Sequence, residues 1–306
     1  MSASAPAPAA ALTAVGQPTQ PAPRRRVLGY LRRNPGLLLG LMLIGGLLAF
    51  SVIGRYFVSY DQAFPLSGPP SLPPDRDWPF GTDADGRNLL AVIVYGTLLT
   101  LKIGVIAGCL GLAIGTSLAF VAAYRGGWID AATRVLVDVL ISIPTLLVLV
   151  VVASTLHRAM TTTIMAIIIA LLAWREPARQ IRAQVLVMCE AQYVRVALLN
   201  GAGSARVIFR EMMPNLLPFL AASFVAAISQ AVLASIGLEA LGLGTPSEPT
   251  LGQTIYWMMN ESAFMLGLWW WIVAPIGVLV VLFVGLFLIA AGFDEIANPR
   301  WRRAEA

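Results

Sequence analysis

The chain has 306 residues, of which 58% are hydrophobic and 12% charged, and its mean hydropathy is +0.77. Soluble domains are about 45–50% apolar and about 25% charged, so this composition argues against a water-soluble enzyme and for an all-α, polytopic membrane protein in a lipid bilayer. The net charge of +5 is carried by arginine, with one lysine (Lys102) and one histidine (His157) in the whole chain. A P-loop needs a lysine directly after a glycine-rich turn, and Lys102 has no such turn before it. One histidine excludes an HExxH site and every multi-histidine metal cage. Cys109 and Cys189 lie in dissimilar segments and offer neither a disulfide framework nor a CxxC pair.

The chain opens on an uncharged Ala/Pro/Ser-rich stretch and five arginines (24–26, 32, 33), a composition expected to be disordered over 1–26. The uncharged run from Asn34 to Gly54 exceeds the roughly 7–15 residues of a signal-peptide core. It is read as an uncleaved first span, 37–54. Residues 55–96 form a long, proline-rich loop made acidic by Asp61, Asp75, Asp77, Asp83 and Asp85. Four more charge-poor windows follow, at 97–123, 134–156, 160–174 and 215–236, and a last one at 268–292, giving six transmembrane helices with both termini on one side. Lys102, near the outer end of its span, can snorkel, and Pro144 can kink the third span.

The positive-inside rule sets the orientation. With both termini in the cytoplasm, 16 of the 21 basic residues fall on that side, six of them in the 175–214 loop. The arginines therefore read as topological, and no nucleic-acid partner is expected.

The 175–214 loop is helical in pattern. Tyr193, Val194, Ala197 and Leu198 make one apolar face. Gly201 can take the left-handed conformation that stops a helix, Ser204 can cap a second helix running to about Met213, and Pro214 can start the next span. Such a helix–glycine–helix element can fit a cleft on a partner protein, or lie amphipathically in the membrane interface.

Gly201 followed by Pro214-Asn215 resembles the EAA loop of ABC importer permeases. Gly81-Thr82-Asp83-Ala84-Asp85-Gly86-Arg87-Asn88 with Tyr95-Gly96 is similar to the GTDxxGRD…YG block of the C-type permease of dipeptide/oligopeptide/nickel importers. Tyr124-Arg125-Gly126-Gly127-Trp128-Ile129-Asp130, Asp138 with Pro144, Leu241-Gly242-Leu243-Gly244 and Asn298-Pro299-Arg300 resemble further blocks of that family in the same order, over about 27–303. Arg195 and Val196 depart from the usual Glu and Ala of the EAA core, and Ser235 stands where many members have Glu, with Glu239 nearby.

The resemblance implies a type I ABC importer membrane fold in the bacterial inner membrane. It divides the chain into the tail (1–26), a first transmembrane helix with its extracytoplasmic loop (27–96), a five-helix core (97–296) containing a cytoplasmic coupling loop (175–214), and a cytoplasmic tail (297–306). It implies a B-type permease as heterodimeric partner, two ABC ATPase subunits and an extracytoplasmic substrate-binding protein, with no catalytic residue, cofactor or metal on this chain. The implied ATPase-coupling residues are Glu190, Ala191, Tyr193, Arg195, Ala197, Gly201, Ala202, Ser204 and Pro214. Those facing the binding protein are Asp83, Asp85 and Arg87. Peptides are the implied cargo, and the same architecture carries oligosaccharides, opines and nickel chelates.

The remaining polar residues read as follows. Asp83 and Asp85 before Gly86 fit turn and cap chemistry better than an EF-hand, whose twelfth position would fall on Val94. Asp138, a carboxylate in a span, is expected to pair with Arg134 at i−4. Asp138, Pro144, Ser229 and Gln230 are the candidate pathway residues. Trp269, Trp270 and Trp271 read as an aromatic belt or a stacking surface for an entering ligand. An intramembrane enzyme would need a nucleophile with a base, and His157 and Cys109 have no evident partners. An ion-driven transporter would need charges on several spans, and only Asp138 and Lys102 qualify.

Overall fold

The computed structural model describes residues 34–155 and 160–297. The arginines of the N-terminal tail, His157, Arg158, the Asn298-Pro299-Arg300 block and the C-terminal arginines lie outside them. Each of the six expected spans falls on helical structure, but several differ in extent or shape from the expectation.

Helix α1 (Pro35–Gly54) starts with proline at its first position, where the missing N–H costs no bond. Helix α2 (Leu89–Arg125) is capped by Asn88, whose side chain accepts from the Leu90 N–H, and it stops at Gly126, φ 64°. It begins earlier than the charge-free window indicated. At 1.5 Å per residue it is about 55 Å long, against about 30 Å of hydrocarbon, so its ends project beyond the apolar layer.

The third span is broken. Helix α3 (Gly127–Ser142) and helix α4 (Thr145–Thr155) meet at 82°. Ile143, directly before Pro144, sits at φ −85° and ψ 126°, the extended conformation that proline imposes on its predecessor. Helix α5 (Thr162–Ala173), capped by Thr161, is too short to cross alone, and α6 (Arg175–Cys189) follows it after one residue, Trp174. Helix α7 (Gln192–Leu199) is short. Helix α8 (Ser204–Leu243) then runs through 40 residues. Its predicted break at Met213–Pro214 is absent. A π-turn over Val207–Met212 lies directly ahead of Pro214 and widens the helix where the proline has no N–H to donate.

Helix α9 (Leu251–Asn260) was not expected, although Thr250 and Gln253 have the spacing of a helix start; the Thr250 side chain accepts from the Gln253 N–H. Helix α10 (Trp269–Ala297) closes the bundle. Among the described residues the β pairing is one isolated bridge, Thr82 to Asn88.

Helices α2 and α8 form the centre. On one side Ile103 and Ala107 of α2 pack with Leu149 of α4, Met165 and Ile169 of α5 and Leu238 of α8. On the other, α1 and α10 pack together and onto α8 through Leu37, Leu47, Val232, Leu282 and Leu286. Lipid tails are as apolar as leucine, so close backbone approach rather than water exclusion holds such helices together. Glycines of α2 supply it on two faces. A methyl added at Gly104 would lie 2.6 Å from Val232 of α8, and one at Gly115 would lie 2.7 Å from the Trp174 carbonyl oxygen and 2.9 Å from the Ala178 nitrogen.

Backbone atoms cannot swing aside as a side chain can. Gly115→Ala is expected to destabilise the protein by about 1–3 kcal/mol, the range for overpacking. Gly45→Ala, where nothing lies within 4 Å, should leave stability unchanged. Thermal aggregation in detergent, followed by size-exclusion chromatography, compares the two; equal melting would refute the close-packing account.

Candidate functional site

Two ends of the bundle carry polar structure. The basic end holds α6, α7 and the start of α8. Val194 of α7, 1% exposed, inserts among Ile181 and Val185 of α6 and Val207 and Met212 of α8, with Ala197 and Ala202 packed beside them. After α7 the chain turns at Gly201, φ 78°. The Gly201 N–H donates to the Leu198 carbonyl (2.9 Å) and the Ala202 N–H to the Ala197 carbonyl (3.0 Å). This pair of bonds is a Schellman turn, which uses up carbonyls that a helix end leaves unpaired. The glycine thus occupies the conformation expected of it.

Ser204 does not cap. Gly203, at φ −69° and ψ 158°, is the capping residue, and Ser204 is already in the first turn without a side-chain cap bond. The surface left outward on this elbow is apolar, with Val196, Leu199 and Phe209 well exposed. Arg195 pairs with Glu190, both exposed, and Tyr193 and Ala191 flank the anchored face.

Between the bend of the third span and α5, α6 and α8 lies a cavity of about 350 Å³. Its wall is mostly apolar, with Thr145, Arg175, Glu176, Gln180, Ser223 and Gln230 as polar points. Of the four candidate pathway residues, Gln230 lines it and Pro144 adjoins it through Thr145. Ser229 instead donates to the Val225 carbonyl one turn back (3.0 Å). Asp138 is exposed on α3 and its expected pair with Arg134 is not formed. The carboxylate that does pair is Asp130, which takes both Nε and Nη2 of Arg182 from α6.

The acidic end is organised by Asp83. Its Oδ1 accepts from the Arg87 N–H (2.7 Å) and the Asp85 N–H (3.0 Å), and its Oδ2 meets Arg87 Nη1 at 3.0 Å. Arg87 Nη2 reaches Asp85 at 2.8 Å, and the guanidinium lies 4.9 Å from the Trp257 ring of α9. Burial pushes the Asp83 carboxyl above the ordinary carboxylate range, while the Arg87 guanidinium and N–H pull it back. Asp83 and Arg87 are buried and Asp85 is half-exposed. Beside them, a second cavity of about 360 Å³ is lined by Glu248, Glu261 and Trp257.

The three tryptophans do not act alike. Trp269 is exposed, whereas Trp270 donates from Nε1 to the Thr82 carbonyl (3.1 Å) and Trp271 is fully buried against Leu89, Ala263 and Leu268. Trp270 therefore ties the acidic loop to α10, and Trp271 ties the start of α2 to it.

Residues 111–303 match the family described as the binding-protein-dependent transport system inner membrane component. The chain belongs to that family.

It is therefore a multi-pass permease of the bacterial inner membrane, and it works with an ATPase and a substrate-binding protein. Three relatives extend the likeness beyond the matched segment. The dipeptide transport system permease protein DppC of Haemophilus influenzae is 30% identical over 282 residues, covering 90% of this chain and 94% of its own. The oligopeptide transport system permease protein OppC of Bacillus subtilis is 26% identical, covering 89% of this chain and 88% of its own. The Bacillus subtilis dipeptide permease DppC is 27% identical, covering 89% and 84%. The family match takes in the elbow and the first cavity, while the acidic loop lies before it and is spanned by the longer alignments.

Two features of this permease escaped the sequence. Arg175 looked like one of six topological arginines, yet it is buried among backbone carbonyls. Glu239 was noted only as a neighbour of the atypical Ser235. It is fully buried against Gly252 of α9, and neither of its carboxyl oxygens has a hydrogen-bond partner among the described residues. Its side chain packs against Gly244 and Gly252, where an added methyl would meet it, so Glu239 fills the contact between α8 and α9. Ser235 is also buried, and its hydroxyl donates to the Val232 carbonyl (2.9 Å).

Proposed function

We propose that this permease is one half of an importer of di- or oligopeptides, paired with a B-type permease and driven by two ATPase subunits. The observation that carries the coupling part is the elbow: a short helix fixed to the bundle by Val194 and closed by the Gly201 turn, with Val196 and Leu199 left facing outward. A rigid element with an exposed apolar face suits a cleft on an ATPase. Glu190, Ala191, Tyr193, Arg195, Ala197, Ala202, Ser204 and Pro214 build or flank it. The basic end lies in the cytoplasm with both termini, as the arginine distribution supports. The acidic end faces the binding protein, with Asp85 as the accessible member of the Asp83–Asp85–Arg87 group.

ATP binding favours one state of the paired ATPases over the other, and only that difference shifts the permease between inward-open and outward-open forms. The elbow moves with the ATPases. The cavity beside Gln230 lies on the pathway that opens and closes. Peptide cargo is supported by the names of the relatives, and selection among peptides belongs to the binding protein.

The test uses the assembled complex in proteoliposomes with its binding protein. Labelled dipeptides and oligopeptides should accumulate in the presence of ATP, and a cysteine at position 199 should cross-link to an ATPase subunit. Accumulation of an oligosaccharide, an opine or a nickel chelate instead of peptides would overturn the cargo. Absence of the cross-link, with active transport, would overturn the coupling role of the elbow.

A further inference from the structure

The bend between α3 and α4 leaves helix-end carbonyls to be paired by side chains, and one of them is met by a residue of α6. The last carbonyls of a helix have no intrahelical partner, and in a membrane bundle an unpaired carbonyl costs several kcal/mol. Pro144, with no N–H, cannot pair with any of them. The Val139 carbonyl is taken by Ser142 Oγ at 2.7 Å. The Leu140 carbonyl is taken by Arg175 Nη1. The same guanidinium donates from Nη2 to Thr145 Oγ1, the first residue of α4, at 2.8 Å, and from Nε to the Leu172 carbonyl, near the end of α5, at 2.8 Å. Arg175 is 6% exposed, and among the described residues no carboxylate lies within ion-pair distance of it.

One planar fork thus joins the ends of α3, α4 and α5, while its own backbone begins α6. Arginine alone has donors spread widely enough for this; a lysine ammonium is a point charge. Seven residues on, about two turns along the same face, Arg182 grips Asp130 of α3. Helix α3 buries a single side chain, Val137. Its register against α6 is therefore set by these polar ties more than by apolar packing. Ile141, Thr145 and Leu146, on both sides of the bend, line the first cavity together with Arg175.

We infer that Arg175 is a positioning residue of the transport cycle: it transmits the tilt of α6 to the α3–α4 bend and so sets the width of the cavity beside Gln230. Helix α6 leads directly into α7, so the inference rests on the reading of the elbow as the coupling element. Displacement of α7 moves α6, and α6 carries Arg175. The fork holds Leu140 and Thr145 together, so the bend moves as a unit instead of flexing independently.

The experiment uses the complete complex in lipid nanodiscs and proteoliposomes. Spin labels at the exposed positions 136 on α3 and 151 on α4 report the bend, and the cysteine at 199 reports ATPase docking. In the parent complex the label distance should change on ATP binding. Arg175→Met should keep the cross-link and the ATPase activity stimulated by the binding protein, broaden the label distance and remove its response to ATP. Peptide moved per ATP should fall about tenfold, the scale of a typical coupling between sites. Arg175→Lys should behave like the methionine variant, because charge without the fork does not bridge the bend.

If Arg175→Met fails to assemble, Thr145→Val removes only the α4 contact and should show a weaker form of the same uncoupling. An unchanged ATP response and an unchanged transport ratio in the variant that assembles would overturn the inference while leaving the coupling reading intact. Loss of the cross-link in the parent complex would instead overturn the coupling reading, and this inference with it.

Discussion

Replacing Gly201 with valine is expected to lower uptake about tenfold without disturbing insertion of the spans. Gly201 sits at φ 78°, and an added Cβ there would meet nothing within 4 Å. The penalty is therefore confined to the backbone. A left-handed conformation costs an L-residue roughly 1–2 kcal/mol, and a branched β-carbon makes it a genuine outlier. A penalty of about 1.4 kcal/mol is a tenfold change in population. The chain would escape it by opening the two bonds to Leu198 and Ala197, which frees the carbonyl end of α7 and lets the elbow swing.

Gly201→Asn supplies the control, because asparagine tolerates this conformation better than other side chains. It should retain most uptake. The readouts are ATP-driven peptide uptake and ATPase activity stimulated by the binding protein, both in the assembled complex. Equal activity of the valine and asparagine variants would show that the turn conformation is irrelevant to coupling.

The second expectation separates the two faces of α7. Val194→Asp places a carboxylate among Ile181, Val185, Val207 and Met212, with no partner there to neutralise it. An unpaired buried charge costs several kcal/mol. The helix should leave its seat, and both the thermal stability of the basic end and stimulated ATPase activity should fall. Leu199→Asp acts on a side chain that is 87% exposed. Its effect on stability should stay within about 0.5 kcal/mol, as at ordinary surface sites. It should still weaken retention of the ATPase subunits during purification. If Leu199→Asp retained the ATPases as firmly as the parent, the outward face of α7 would not be the docking face.

Sequence and structure agree where one residue's own chemistry decides the outcome. Gly201 is such a case, since a left-handed helix stop needs no information from elsewhere in the chain. The spans are another, because a charge-free window of sufficient length has one economical place to go. The disagreements come from long-range pairing. Asp138 and Arg134, four apart on a helix, looked like partners, but α6 brings Arg182 beside Asp130, and that bidentate contact is the one formed. Arg175 could be counted as a charge from its position, but its role depends on Leu140 and Thr145, which fold back onto it from the broken span. Local rules also met competitors. Gly203 took the extended cap position before Ser204 could, and a π-turn absorbed Pro214 without ending the helix. The candidate pathway residues were legible as polar groups in apolar spans, but which of them faced a cavity depended on helix rotation, which charge counting does not report.

Helix α1 finds its main seat against α10. Gly40 lies against the backbone of Gly285, Ile44 fills the space above Gly285, and Leu37 lies against Gly292. These partners stand at opposite ends of the described chain. At about 5–20 residues per second, synthesis of the intervening segment takes roughly ten to forty seconds. During that interval α1 has the bilayer and its smaller contact with α2, such as Gly54 against Val94, as its surroundings. Its sequence bears the mark of that wait. It is apolar around almost its whole circumference, with only 22% of its span covered in the finished fold, and its single hydroxyl, Ser51, is fully buried. Helix α1 must therefore be stable in lipid before α10 arrives to cover its Gly40 face.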